Sequence, residues 1–304
     1  MEYATINPMT TPPVCDYEGS DYQERFWEAG GREYEDMAEE LALRNLLPKS
    51  GRHLLEVGAG AGRNTPRYKG YERITLLDYS RTQLIQAAEK LGNSQRYRYI
   101  AADVYRLPFG SNSFDAATMI RTIHHLSHPE TALRNLCAVL AGQSPFILEF
   151  ANKRNLKAVL RFVSGRQKWN PFSREAVEFV KLNFNFHPAS IKKMLALEGF
   201  SLEKQVSVSY LRAGLLKRLL PIGVMRAMES ALQAAFSWSA YSPSVFLLAR
   251  KGGESHPLSN SALFRCPACG HFPIEDTQPM LTCESCGRTY TFSDGIYDFR
   301  VKDE

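Results

Sequence analysis

The chain has 304 residues, of which 44% are hydrophobic and 23% charged, and a formal net charge of +5. That balance buries a full core and excludes fibrous and disordered classes. Its apolar runs fall far short of the ~20 residues of a bilayer span, and residues 1–14 lack the basic start and apolar core of a secretory leader, so a cytoplasmic location is expected.

Residues 1–20, rich in Thr, Pro and Tyr, are expected to be a tail. From Asp21 to Leu47, Phe26, Met37, Leu41 and Leu46 recur among charges and predict one or two amphipathic helices stopped by Pro48. Next comes Leu54-Leu55-Glu56-Val57-Gly58-Ala59-Gly60-Ala61-Gly62-Arg63, a buried strand that breaks into alternating glycines. Glycines suit a turn where main chain lies against a ligand, because they lack Cβ and take positive φ. The dinucleotide pattern G-x-G-x-x-G fails here, since its third glycine falls on Arg63. An ordinary tight turn is the alternative.

Strand and helix then alternate. Arg73 to Asp78 predicts a second strand, Ser80 caps a helix through Leu91, Tyr97 to Ala102 a third strand, Phe114 to Ile120 a fourth, Pro129 to Leu140 a helix, and Pro145 to Phe150 a fifth strand. This order predicts an α/β, doubly wound parallel sheet with its ligand at the carboxyl ends of the strands. Beyond it, Pro171 to Leu182 and Pro188 to Leu197 are expected to be helical. Gln205 to Leu211 and Tyr241 to Arg250 are expected as strands, with a long helical insertion broken at Pro221 between them. The insertion's apolar residues, Leu215, Leu216, Leu219, Leu220, Ile222, Val224, Met225, Met228, Leu232 and Phe236, are expected to pack as core, with pocket lining or membrane contact as alternatives.

The charge is unevenly spread. Residues 151–220 hold 14 Lys and Arg against 4 Asp and Glu, whereas residues 260–304 hold 4 against 7. The C-terminal part also holds Cys266-Pro-Ala-Cys269 and Cys283-Glu-Ser-Cys286, thirteen residues apart, each pair followed by glycine. Two matched C-x-x-C pairs predict a four-thiolate structural zinc site rather than disulfides or a redox dithiol. Gly252 to Asn260 has linker composition.

The glycine turn behind Glu56, Asp78 twenty residues after Gly58, Ala101-Ala102-Asp103, and Leu107-Pro108-Phe109 before Ser113-Phe114-Asp115 together resemble the class I S-adenosylmethionine-dependent methyltransferases, in particular the type 11, ubiquinone/menaquinone-methyltransferase-like branch. The resemblance covers about residues 50–150. It implies a seven-stranded Rossmann-like sheet whose last strand is antiparallel and inserted beside the fifth. It also implies S-adenosylmethionine as cofactor, held by Glu56, Gly58, Ala59, Gly60, Gly62, Asp78, Tyr79, Asp103, Val104 and Arg121. Within it, Asp78 takes the ribose hydroxyls and Asp103 the adenine amino group. The C-terminal part resembles small zinc ribbons.

The expected organisation is therefore a tail (1–20), a methyltransferase domain (21–251) with substrate-cap insertions at about 151–241, a linker (252–262) and a zinc ribbon (263–304). Past the fourth strand, His124 and His125 are candidate bases and Arg121 could hold an anionic group. Expected acceptors are small or lipid-like molecules. An RNA acceptor held by Lys153, Arg154, Lys157, Arg161, Arg166 and Lys168, or a non-catalytic scaffold, are the competing readings. The acidic ribbon is expected to contact protein, with this chain's own basic 151–220 stretch as its electrostatic partner.

Overall fold

A computed structural model describes residues 12–13, 18–19, 31–254, 258 and 262–301. Most of the expected tail, and residues 21–30 with Phe26, lie outside the described residues.

The elements in chain order are α1 (Glu33–Leu46), β1 (Gly51–Val57), β2 (Tyr71–Asp78), α2 (Arg81–Leu91), β3 (Tyr97–Ala101), β4 (Ala116–Met119), α3 (Pro129–Val139), β5 (Pro145–Ala151), α4 (Leu156–Val163), β6 (Val177–Val180), β7 (Asn183–Asn185), α5 (Pro188–Leu197), β8 (Phe200–Val208), α6 (Gly214–Leu219), α7 (Ile222–Phe236), β9 (Ser244–Lys251), β10 (Met280–Thr282), β11 (Thr289–Ser293) and β12 (Ile296–Asp298). The expected local signals hold. Ser80 Oγ accepts from Gln83 N–H at the start of α2, and Gly92, at φ 80°, ends it.

One sheet runs β10-β11-β12-β3-β2-β1-β4-β5-β9-β8. β1 to β5 are parallel neighbours, buried on both faces, which is why they read as near-continuous apolar runs. β9 lies antiparallel between β5 and β8, as the resemblance implies. One face packs on α3 and α5. The other packs on α2 at one end and on α1 and α7 at the other.

The sheet has ten strands rather than the expected seven. β12 pairs in parallel with β3, setting Ile296 against Tyr99 and Asp298 against Ala101, so the cysteine-bearing segment continues the sheet. Phe264, Tyr290, Tyr297 and Phe299 enter the same core as Phe109 and Phe114. The acidic segment thus docks on β3 through apolar burial and backbone pairing, not on the basic 151–220 stretch. Its cation partners are Arg81, which meets Asp294 and donates to Ser293 Oγ at 2.9 Å, and Arg98, over the Phe264 and Tyr297 rings.

Three further expectations are corrected. Pro171 to Leu182 is no helix but leads into a hairpin of β6 and β7, because Val177-Glu178-Phe179-Val180 is β-branched and aromatic and Leu182 turns the chain at φ 55°. The sixth strand of the core begins at Phe200, directly after Gly199, and carries a bulge between Leu202 and Lys204. The insertion breaks at Pro221 as expected and packs as core only in part: Met225 is buried with Leu216, Leu220 and Leu232 packed in the same cluster, while α7 also buries Glu229 and Gln233 and leaves Ile222, Val224, Met228 and Phe236 exposed. Glu229 explains the polar part of the buried face. It accepts from Tyr34 O–H at 2.5 Å, Ser209 N–H at 2.7 Å and Tyr210 N–H at 3.1 Å, three donors that burial would otherwise leave unpaired.

Candidate cofactor site

The glycine turn forms where β1 ends against β2. Gly58, Gly60 and Gly62 have φ of 69°, 53° and 70°, conformations that other residues adopt at a cost. They differ in what each position requires. A Cβ on Gly58 would lie 2.0 Å from Thr122 Oγ1, and one on Gly62 would lie 2.8 Å from Leu91 on α2. At Gly60 a Cβ would meet nothing closer than Gln83 Oε1 at 3.8 Å, an ordinary contact. Gly60 therefore presents bare main chain to a cavity, whereas Gly62 lets α2 approach.

That cavity is lined by Glu56, Gly58, Ala59, Gly60, Asp78, Tyr79, Asp103, Val104, Arg121 and His125 among the expected residues. Gly62 and His124 are not part of the lining. Gly60 N–H donates to Asp78 Oδ2 at 2.8 Å and Ser80 N–H to Oδ1 at 2.9 Å, which fixes the carboxylate at the end of β2. Asp103, at the end of β3, accepts from Tyr105 N–H at 2.8 Å. Glu56 lines the floor, but Thr65 O–H at 2.6 Å and Tyr68 O–H at 3.1 Å occupy its oxygens. Burial pushes its carboxyl up to about 7, against the pull of these two hydrogen bonds.

Opposite the acids stands Arg121, tied together with Arg63 by an acid, Glu39, that sequence reasoning missed. Glu39 of α1 is fully buried between Arg63 Nη2 at 2.6 Å and Arg121 Nε at 2.6 Å. Burial acts to raise its carboxyl, yet Arg121 and Arg63 outweigh that and hold it down at about 2. Arg63 also meets Asp36, so the residue that spoils the dinucleotide pattern ties the glycine turn to α1. Arg121 sits at φ 55°, with its N–H donating to Glu149 of β5 at 2.9 Å.

The two histidines separate. His125 lines the cavity, and its Nδ1 lies 3.0 Å from the Leu182 carbonyl, an acceptor only, so Nδ1 carries the proton. Burial lowers its pKa, so the ring is neutral and Nε2 is its acceptor nitrogen. His124 packs against His125 at 4.1 Å between ring centres, and its Nδ1 is sealed with no hydrogen-bond partner among the described residues. Its expected role as a second base at the cavity has no support in this placement.

A larger cavity, about 680 Å³, lies at the amino ends of the strands beneath residues 262–276. It contains no glycine turn. His53 there is lowered to about 3 by burial and by Arg98 and Arg73. In doubly wound sheets the ligand crevice is at the carboxyl ends, where the glycine turn and both acids stand.

Cys266, Cys269, Cys283 and Cys286 place their sulfurs within 4.8 Å of one another, a set that could hold a metal ion. Cys266 and Cys286 are 3.7 Å apart and Cys269 and Cys283 3.6 Å, close to the ~3.8 Å edge of a tetrahedron with metal–sulfur bonds of about 2.3 Å. Each pair is a knuckle closed by glycine, with Gly270 N–H donating to Cys266 O at 2.9 Å and Gly287 N–H to Cys283 O at 2.8 Å.

The sheet order, the inserted antiparallel strand and the crevice define an α/β Rossmann-like methyltransferase fold. Residues 55–148 match the family model of the methyltransferase domain. Among solved structures, the chain is similar to one from the complex between the Haloferax volcanii Trm112 methyltransferase activator and a methyltransferase, with a TM-score of 0.54 and 13% identity over 76% of this chain and 96% of that one. A Listeria monocytogenes S-adenosylmethionine-dependent methyltransferase gives a TM-score of 0.52 and 14% identity over 73% and 100%.

By sequence the chain is 31% identical to the ubiquinone/menaquinone biosynthesis C-methyltransferase UbiE of Roseobacter denitrificans over 36% of this chain and 47% of that protein. It is 38% identical to the demethylmenaquinone methyltransferase of Chlamydia trachomatis over 33% and 44%, and 28% identical to the O-methyltransferase resE of Aspergillus sclerotiorum over 58% and 75%. The chain thus spans less than half the length of the first two relatives.

Proposed function

We propose that this chain is an S-adenosylmethionine-dependent methyltransferase acting on a small or lipid-like acceptor. The observation that carries the reading is the juxtaposition of Gly60's bare main chain with Asp78 and Asp103 on consecutive strand ends of one cavity. A cofactor with a ribose and an adenine fits that set. Asp78 would accept the ribose hydroxyls, Asp103 the adenine amino group, and Gly58 to Gly60 would hold the amino-acid end. When bound, S-adenosylmethionine supplies a methyl group on a sulfonium.

The chain's own contribution is alignment and exclusion of water, since transfer is an in-line displacement. Arg63 and Arg121, locked on Glu39, keep the glycine turn and the loop after β4 in fixed relation. His125, neutral with its proton on Nδ1, offers Nε2 to a hydroxyl of the acceptor. The similar proteins bear the names of C- and O-methyltransferases. We carry over only what they share with the cavity, a small-molecule acceptor. An RNA acceptor is disfavoured by Lys153, which is fully buried and donates to Ser173 Oγ at 2.8 Å, and by Arg154, which is turned to Ser239 O. The four cysteines would hold a structural Zn²⁺, closed on all sides by sulfur.

Calorimetry tests the cofactor: the native chain binds S-adenosylmethionine and Asp78→Ala binds it about a hundredfold more weakly. No binding by the native chain defeats the reading. With a tritiated-methyl assay against fractionated metabolite, lipid, RNA and protein extracts, His125→Gln lowers turnover about a hundredfold at saturating cofactor. His124→Gln keeps its turnover. One zinc per chain, and loss of the module's fold on chelation, test the metal.

A further inference from the structure

We propose that the face built by α4, the β6–β7 hairpin and the end of α7 is a docking surface for a lipid bilayer carrying anionic headgroups. The proposal goes beyond methyl transfer and does not depend on it. Soluble monomers rarely expose large contiguous apolar patches, and those rimmed by polar residues mark interaction sites. Here α4 presents Leu156, Leu160 and Val163 to solvent, spaced i, i+4, i+7 on one stripe, with Val163 77% exposed. α7 leaves Ile222, Val224, Met228 and Phe236 exposed.

The elements join into one surface. Leu156 N–H donates to Tyr241 O at 2.8 Å, which sets the start of α4 beside the end of α7, where Trp238 is 79% exposed. Phe162 meets Phe172 at 6.4 Å between ring centres, and Trp169 meets Phe179 of the hairpin at 5.6 Å.

Charge identifies the occupant. Between residues 156 and 181 the same surface exposes Lys157, Arg161, Arg166, Lys168, Arg174 and Lys181 against only Glu175 and Glu178. Apolar tips among exposed cations match an anionic interface, where aliphatic and Trp side chains enter the acyl boundary and Lys and Arg meet headgroups. A second copy of this chain fits less well, because a two-fold contact would set the same basic rim against itself. RNA would engage the cations but leave Leu160, Val163 and Val180 in water. No helix among the described residues is long and apolar enough to cross a membrane, so the contact lies in the interface plane.

The test is co-sedimentation of the full chain with vesicles of phosphatidylcholine mixed with phosphatidylglycerol, compared with phosphatidylcholine alone. The mixed vesicles are expected to bind, pure phosphatidylcholine and high salt each to weaken binding about tenfold or more, and Trp238 fluorescence to shift to the blue. Leu160→Asp with Val163→Asp removes about tenfold or more of the binding, as does Lys157→Glu with Arg161→Glu. Both pairs keep the native melting temperature because the sites are exposed. Trp238→Phe, which keeps an apolar tip, retains binding and diminishes the shift.

Absence of vesicle binding overturns the proposal, and so does undiminished binding by both paired variants. A concentration-dependent dimer abolished by Leu160→Asp with Val163→Asp, without vesicle binding, assigns the face to a second copy. Binding to an RNA homopolymer that needs Lys157 and Arg161, without vesicle binding, assigns it to RNA.

Discussion

The parallel-sheet region of residues 51–151 and the α7 insertion differ in where they place their polar residues. In the first region aliphatic residues fill both faces of the sheet and the acids Asp78 and Asp103 stand at strand ends. In the second, α7 buries Glu229 and Gln233 while Val224 and Met228 face water. The difference teaches that burial follows donors and acceptors as well as apolar area. Tyr34 O–H and the N–H groups of Ser209 and Tyr210 converge under α7, and a carboxylate that accepts all three spares them the cost of about 1–3 kcal/mol each that unpaired burial carries.

The largest expected effect falls where the first region meets α1. Glu39→Ala leaves Arg63 and Arg121 without their shared carboxylate and should cost about 3–5 kcal/mol, read as a fall in the urea midpoint. Glu229→Leu follows, at about 2–4 kcal/mol, although it adds an apolar side chain to a buried position.

Acidity separates the two buried carboxyls that flank Arg63. Glu39 has a folded pKa near 2, below its ordinary 4.5, so its stabilisation is present above pH 4.5 and is lost as pH falls toward 2. Glu56 has a folded pKa near 7, above 4.5, so its burial costs nothing below pH 4.5 and costs progressively more as pH rises to 7. Glu56→Gln should therefore gain on the native chain between pH 5 and about 7.5 in pH-dependent unfolding. The smallest effect completes the comparison. Leu160→Ser on the exposed stripe should change stability by no more than about 0.5 kcal/mol, although the same change in the sheet core would be severe.

What could be read in the sequence was what neighbours in the chain decide. The glycine turn, the cap at Ser80, the acids ending β2 and β3, and the two cysteine knuckles all lie within a few residues of their own signal. The pairing of Glu39 with Arg121 spans 82 positions and left no local trace. The pairing of β12 with β3 was hidden because a three-residue strand has too little pattern to announce a partner. The hairpin at 177–185 was misread as helix because its polar and apolar residues fit either period over so short a run. His124 and His125 are adjacent in sequence, and only the fold puts one against the cavity and the Leu182 carbonyl and seals the other.

The pairing of β12 with β3 also settles which strand ends the sheet. Without it, β3 would offer a five-residue row of backbone donors and acceptors, Tyr97–Ala101, with Tyr99 and Ile100 among its side chains, a template for pairing with another chain. With it, the terminal strand on that side is β10, three residues long. The opposite edge, β8, is long but carries Glu203 and Lys204 beside its bulge, features that discourage such pairing. A chain cut at Gly252 should be prone to self-association through β3, even where its crevice is intact.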